Sequence, residues 1–199
     1  YRTAYLKANF PEESMAALLN NELDDIERIA YLVAESKNVG IAILPPDINK
    51  SFVNFTPEGT NTIRFGLEAI KNVGHAITEA VIQERTIRGP FRNFADLLLR
   101  VSHKDLNKKS IEALAKTGVF ESLGVERNQI LQNMEEILRF LMIAKKGGAQ
   151  THASLFGASA QTATLKLQDT TPATNQEKLS WERELLGFYL SDHPLRAYD

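Results

Sequence analysis

The 199-residue sequence has no cysteine. That excludes disulfides and thiolate-held metals, and it suits a reducing compartment, so a cytoplasmic location is expected. No apolar run approaches the roughly 20 residues that would cross a bilayer, so no membrane partner is expected. There is no Asp-x-Asp pair to hold a catalytic divalent cation. Neither a P-loop nor a nucleophile motif is present. The four histidines, His75, His103, His152 and His193, show no metal-ligand spacing. No catalytic residue, metal site or cofactor is therefore expected within these residues.

What is present fits a packed protein. Hydrophobic residues make up 43% of the chain, enough for a core. The length suits one large domain or two small ones. The opening Tyr1-Arg2-Thr3-Ala4-Tyr5-Leu6-Lys7 reads as helix interior, so the sequence is expected to be a fragment of a longer chain. The net charge of −2 hides an asymmetry, for residues 1–50 hold five Lys/Arg against eight Asp/Glu, while residues 64–116 hold ten against six. A basic middle points to a polyanion contact, with a solvated charged face as the alternative.

The pattern along the chain is mainly α. Pro11 suits the first turn of a short helix through Leu19. Asp24-Asp25-Ile26-Glu27 reads as a capping box with Asp24 as cap, opening a helix with Ile26, Ile29, Ala30 and Val33 on one face. That helix stops near Gly40. Pro45-Pro46-Asp47 forces an extended turn and marks a first boundary. Phe52–Phe55 and Thr62–Phe65 predict a small β-hairpin around Pro57-Glu58-Gly59-Thr60-Asn61. Helical patterning then runs from Gly66 to about Lys145, with starts at Asn93 and Asn107 and breaks at Gly118 and Gly124. After Gly124, Ile130, Met134, Ile137, Leu138 and Leu141 predict one long helix. Residues 146–175 are rich in Gly, Ala, Thr, Gln and Ser and read as a flexible linker. Thr174-Asn175-Gln176-Glu177 caps a last helix that His193-Pro194 ends.

The informative stretch is Leu67 to Ile82. A short helix ends, the chain turns, and a new helix begins at His75. Gly74 has no Cβ, so a positive φ and a close approach to another molecule are both open to it. The first amides of the new helix lack intrahelical partners and carry the positive end of its dipole. Beside Lys71 they form a pocket for one phosphate. Val73 is expected to be buried between the helices. Such contacts hold a nucleic-acid backbone and read no bases. The spacing resembles the helix-hairpin-helix family, which usually has Gly-hydrophobic-Gly at the turn. Asn72 replaces the first glycine here and tolerates the same left-handed backbone. A looser second copy runs from Lys108–Thr117 through Gly118–Gly124, with Arg127 in the first turn of the next helix. There it is either a phosphate contact or a solvated side chain. A purely structural turn between core helices is the alternative for the first copy.

Several stretches together resemble the bacterial DNA polymerase III alpha subunits, the C-family replicative polymerases. They are Tyr5-Leu6-Lys7-Ala8-Asn9-Phe10-Pro11, Ile43-Leu44-Pro45-Pro46-Asp47-Ile48-Asn49, Ile63-Arg64-Phe65-Gly66-Leu67, Ala69-Ile70-Lys71-Asn72-Val73-Gly74, Gly118-Val119-Phe120-Glu121-Ser122-Leu123-Gly124, and Glu184 to Leu195. The resemblance implies the end of a fingers domain at 1–50 and a tandem helix-hairpin-helix duplex-binding domain at 51–145. It also implies a helix at 176–199 leading into an oligonucleotide-binding fold beyond this sequence. The DNA contacts would be Lys71, Asn72, Val73, Gly74, His75 and Arg127. Partners would be double-stranded DNA, a sliding clamp and other polymerase holoenzyme subunits. Catalytic aspartates and their Mg2+ would belong to a palm domain outside this sequence. A clamp-binding peptide would fall at His152, Ala153, Ser154, Leu155 and Phe156, with His152 where the family has Gln; the alternative is that Leu155-Phe156 packs on its own domain.

Two other functions fit parts of the pattern. One is a DNA glycosylase built on the same hairpin, with Asp96 as its catalytic carboxylate; a structural role at the third position of a helix cap is the alternative for Asp96. The other is a protein-interaction scaffold that does not touch DNA.

Overall fold

The computed structural model describes residues 2–23, 25–101, 103–149 and 165–190. Helix α1 (Arg2–Asn9) leads into α2 (Pro11–Asn21), whose proline sits in the first turn, where its missing N–H costs no intrahelical bond. Helix α3 (Ile26–Asn38) is capped by Asp25, whose side chain accepts from the Arg28 amide at 3.0 Å. The cap is therefore one residue later than Asp24. Ile29, Leu32, Val33 and Ser36 form its buried face, the spacing of an amphipathic helix.

A three-stranded sheet comes next, in the order β1 (Ala42–Leu44), β3 (Thr62–Arg64), β2 (Thr56–Pro57). β2 and β3 are antiparallel and β1 and β3 are parallel. The expected hairpin is present, but its first strand lies at Thr56–Pro57 instead of Phe52–Phe55. The backbone of 52–55 is engaged elsewhere. The Phe52 and Val53 carbonyls accept from the Leu67 and Glu68 amides, and the Asn20 side chain brackets both the N–H and the carbonyl of Phe55. β1 was not foreseen in the sequence. It joins the first 50 residues to the hairpin region, and its Ala42 amide donates to Asn61 at 2.9 Å. The core runs continuously across the Pro45-Pro46 turn, from Leu19 and Ile29 to Phe55, Phe65 and beyond.

The helical part contains α4 (His75–Arg88), α5 (Phe94–Arg100), α6 (Lys108–Lys116), α7 (Arg127–Gln132) and α8 (Met134–Ala149). Asn93 and Asn107 cap α5 and α6 through their side chains, as their positions predict. The single long helix expected after Gly124 divides at Asn133 into α7 and α8. The Asn133 side chain is drawn to the backbone of Gln168, accepting from its amide at 2.8 Å and donating to its carbonyl at 3.1 Å. Ile130, Met134, Ile137 and Leu141 form the buried stripe, with Leu138 partly buried beside it.

The linker reading changes on both sides. α8 continues to Ala149. Residues 165–174 lie along α7 and α8, with Leu165 and Leu167 against the core and the Ala173 amide donating to Glu126 at 2.9 Å. The capping box at Thr174 and Glu177 opens α9 (Asn175–Leu186), which ends at Gly187 in the left-handed region instead of at His193-Pro194. Leu185 and Leu186 belong to the common core, and Phe188 meets Phe65 with ring centroids 5.9 Å apart. α9 is packed into the same unit as the hairpins.

Candidate nucleic-acid interface

The first hairpin is built on a tight contact. A Cβ placed on Gly66 would stand 2.5 Å from the Asn54 carbonyl carbon. Only glycine lets the 52–54 loop press against the 3-10 turn Leu67–Ala69 and accept its amides. Past Ile70, the Lys71 amide donates to the Leu185 carbonyl of α9 at 3.1 Å. Asn72 then takes φ +70°, the left-handed backbone that asparagine tolerates. Val73 is 6% exposed, as expected for the residue wedged beneath the turn. Gly74 has φ −85°, so the positive φ anticipated for it falls on Asn72.

Gly74 is the N-cap of α4 and supplies no side-chain acceptor. The first intrahelical bond is Thr78 N–H to the Gly74 carbonyl, at 3.3 Å. Among the described residues, none accepts from the backbone N–H of His75, Ala76 or Ile77. Lys71, Asn72, Gly74, His75 and Ala76 are all exposed. A Cβ built on Gly74 meets no atom within 4 Å, so the approach is open at Gly74, His75 and Ala76, while Ile77 is buried. The end of α4 carries the positive pole of its dipole and can take an anionic oxygen. The His75 ring lies between two carboxylates, Nδ1 3.2 Å from Glu68 and Nε2 3.3 Å from Glu79. The hydrogen bond to Glu68, then its charge and that of Glu79, hold the imidazole pKa above its ordinary value.

The second hairpin is closed. Glu126, the residue ahead of α7, accepts from Asn128 at 2.6 Å and Gln129 at 3.4 Å. Its other oxygen accepts from Ala173. Arg127 is only 7% exposed. Its guanidinium donates to Glu121 at 2.7 Å, the Lys116 carbonyl at 3.0 Å and Glu182 at 3.3 Å. Arg127, expected at the surface as a phosphate contact, instead binds the protein to itself. The correction has a physical cause: a carboxylate on α9 and another in the turn satisfy its charge in the interior. The α9 carboxylate comes from far along the chain and left no local signal.

Other cations of the basic middle are also structural. Arg64 is buried against Glu58 and the Pro45 carbonyl. Arg85 donates to Ile48, and Arg100 binds Glu84, Asp96 and the carbonyls of Glu84 and Gly89. Exposed cations include Lys71, Arg88, Arg92, Lys104, Lys108 and Lys109. Asp96 caps its own turn. Burial raises its pKa, but the Arg92 amide and the Arg100 guanidinium outweigh that and hold it below the ordinary value. Such a carboxylate is set for structure and is poorly suited to act as a base at neutral pH. Among the described residues, no group of three His, Asp or Glu could hold a metal ion. His152, Ala153, Ser154, Leu155 and Phe156 lie outside the described residues.

Comparison with known proteins agrees with the geometry. Residues 40–130 match the helix-hairpin-helix motif family. The DNA polymerase III subunit alpha of Borreliella burgdorferi is 39% identical over 202 residues, covering all of this chain and 18% of that protein. The subunit of Thermus aquaticus is 36% identical over 198 residues, covering all of this chain and 16% of the relative. That of Mycobacterium tuberculosis is 39% identical over 204 residues, covering 99% of this chain and 17% of the relative. The chain thus spans less than a fifth of the length of these relatives.

Proposed function

We propose that this chain, a helix-hairpin-helix unit within a stretch similar to the DNA polymerase III alpha subunits, holds the backbone of duplex DNA for a DNA-directed DNA polymerase. The supporting observation is the open head of α4, where exposed amides stand beside Lys71 and no side chain caps them. Amides bind phosphate oxygen and carry no base information, so the grip is independent of sequence. Lys71 adds a charge, and Asn72 and Val73 fix the turn that aims the amides. The chemistry of nucleotide transfer falls to parts of the polymerase outside this chain.

Duplex binding measured against salt tests this reading. The expected affinity is weak, with log K falling linearly against log salt. Lys71→Glu should make that slope shallower by about 0.9, the share of one phosphate contact. Equal slopes in the two proteins would remove the hairpin from the interface.

The segment His152, Ala153, Ser154, Leu155 and Phe156 is proposed to tether the polymerase to a sliding clamp in the cytoplasm, alongside other holoenzyme subunits. Two adjacent apolar side chains can fill a preformed pocket, and His152 can hydrogen-bond at its rim. A peptide spanning Gln150–Gly157 should bind a clamp in a direct titration, and no binding at high micromolar concentration would defeat the tether.

A further inference from the structure

We propose that His75 makes phosphate binding at the head of α4 depend on a proton. Charged, its ring answers Glu68 and Glu79 and leaves the amides a neutral surround. Uncharged, it leaves the two carboxylates facing the incoming anion. The inference rests on the reading of this turn as a phosphate site.

The geometry carries it. Nδ1 lies 3.2 Å from a Glu68 oxygen and Nε2 lies 3.3 Å from a Glu79 oxygen. A neutral imidazole has one N–H and can donate to only one carboxylate; its other nitrogen would turn a lone pair toward the second. Only the imidazolium donates to both. The acids come from separate elements, Glu68 from the 3-10 turn before the hairpin and Glu79 from the next turn of α4. Lys71 is the cation in the intervening turn. α9, which also meets that turn, does so through the Leu185 carbonyl. With His75 charged, Lys71 and His75 balance Glu68 and Glu79. With His75 neutral, the group carries one net negative charge beside the site. The raised imidazole pKa agrees with this arrangement. A bound phosphate would raise it further, so binding takes up a proton and weakens as pH rises through the His75 pKa.

Duplex affinity of the whole chain, followed between about pH 6 and pH 9 at fixed low ionic strength, tests the proposal. The affinity should fall about two- to fivefold across the titration, the effect of one exposed charge at a helix end. His75→Gln should flatten the His75 component. Glu68→Gln should bind more tightly and move the fall to lower pH. A wild-type profile that is flat, or one that His75→Gln leaves unchanged, would overturn the proton role even if Lys71→Glu still reduces the salt slope. Loss of that Lys71 effect would instead overturn the phosphate site, and the proton link with it.

Discussion

Ahead of α4 stands Gly74, with no side chain; ahead of α7 stands Glu126, whose carboxylate takes the amides of Asn128, Gln129 and Ala173. In the first hairpin the positive end of a helix is left to solvent. In the second the same kind of position is filled by the protein's own anion. The next residue repeats the contrast. His75 is exposed, while Arg127 is buried against Glu121 and Glu182. The two hairpins therefore differ in kind: one leaves the amides at the head of its helix to solvent, and the other binds them with its own carboxylate. α9 spans the two. Its Glu182 meets Arg127, and its Leu185 carbonyl accepts the Lys71 amide three residues later.

A stability series would sharpen this division. Arg127→Met leaves Glu182, only 1% exposed, without its buried cation, and should cost about 3–5 kcal/mol. Glu126→Ala removes the α7 cap and the anchor for Ala173, and should cost about 0.5–2 kcal/mol. Lys71→Glu alters an exposed side chain and should stay within about 0.5 kcal/mol. Urea unfolding of the three variants gives the ranking, and among the folded proteins only Lys71→Glu should lose duplex affinity. An Arg127→Met protein of wild-type stability that has lost its hold on DNA would break the contrast.

Much of the fold could be read in the sequence because it was written locally. Proline at the head of α2, asparagine caps at Asn93 and Asn107, and the capping box at Thr174 each act through bonds only a few residues away. In the first hairpin the burial of Val73 and the tolerance of Asn72 for the left-handed backbone were legible, whereas the positive φ open to Gly74 is not used. Several of the misreadings have a different cause. The fate of Arg127 is set partly by Glu182, the break at Asn133 by Gln168, and the placement of the 52–55 loop by Asn20 and the Leu67 amide. Each depends on a partner distant along the chain, which periodicity does not encode. The same holds for residues 165–174, whose small polar composition resembles a linker until Asn133 and Glu126 bind their backbone. The charge asymmetry also overstated the exposed basic surface, since Arg64, Arg85 and Arg100 serve the interior.

Backbone amide chemical shifts recorded while duplex DNA is added would test the open-versus-closed contrast most directly. The expected result is saturable movement of the Gly74, His75 and Ala76 signals, reversed by salt, with Asn128 and Gln129 unmoved. Movement at Asn128 and Gln129 with Gly74 to Ala76 silent would place the DNA on the wrong hairpin and contradict the assignment.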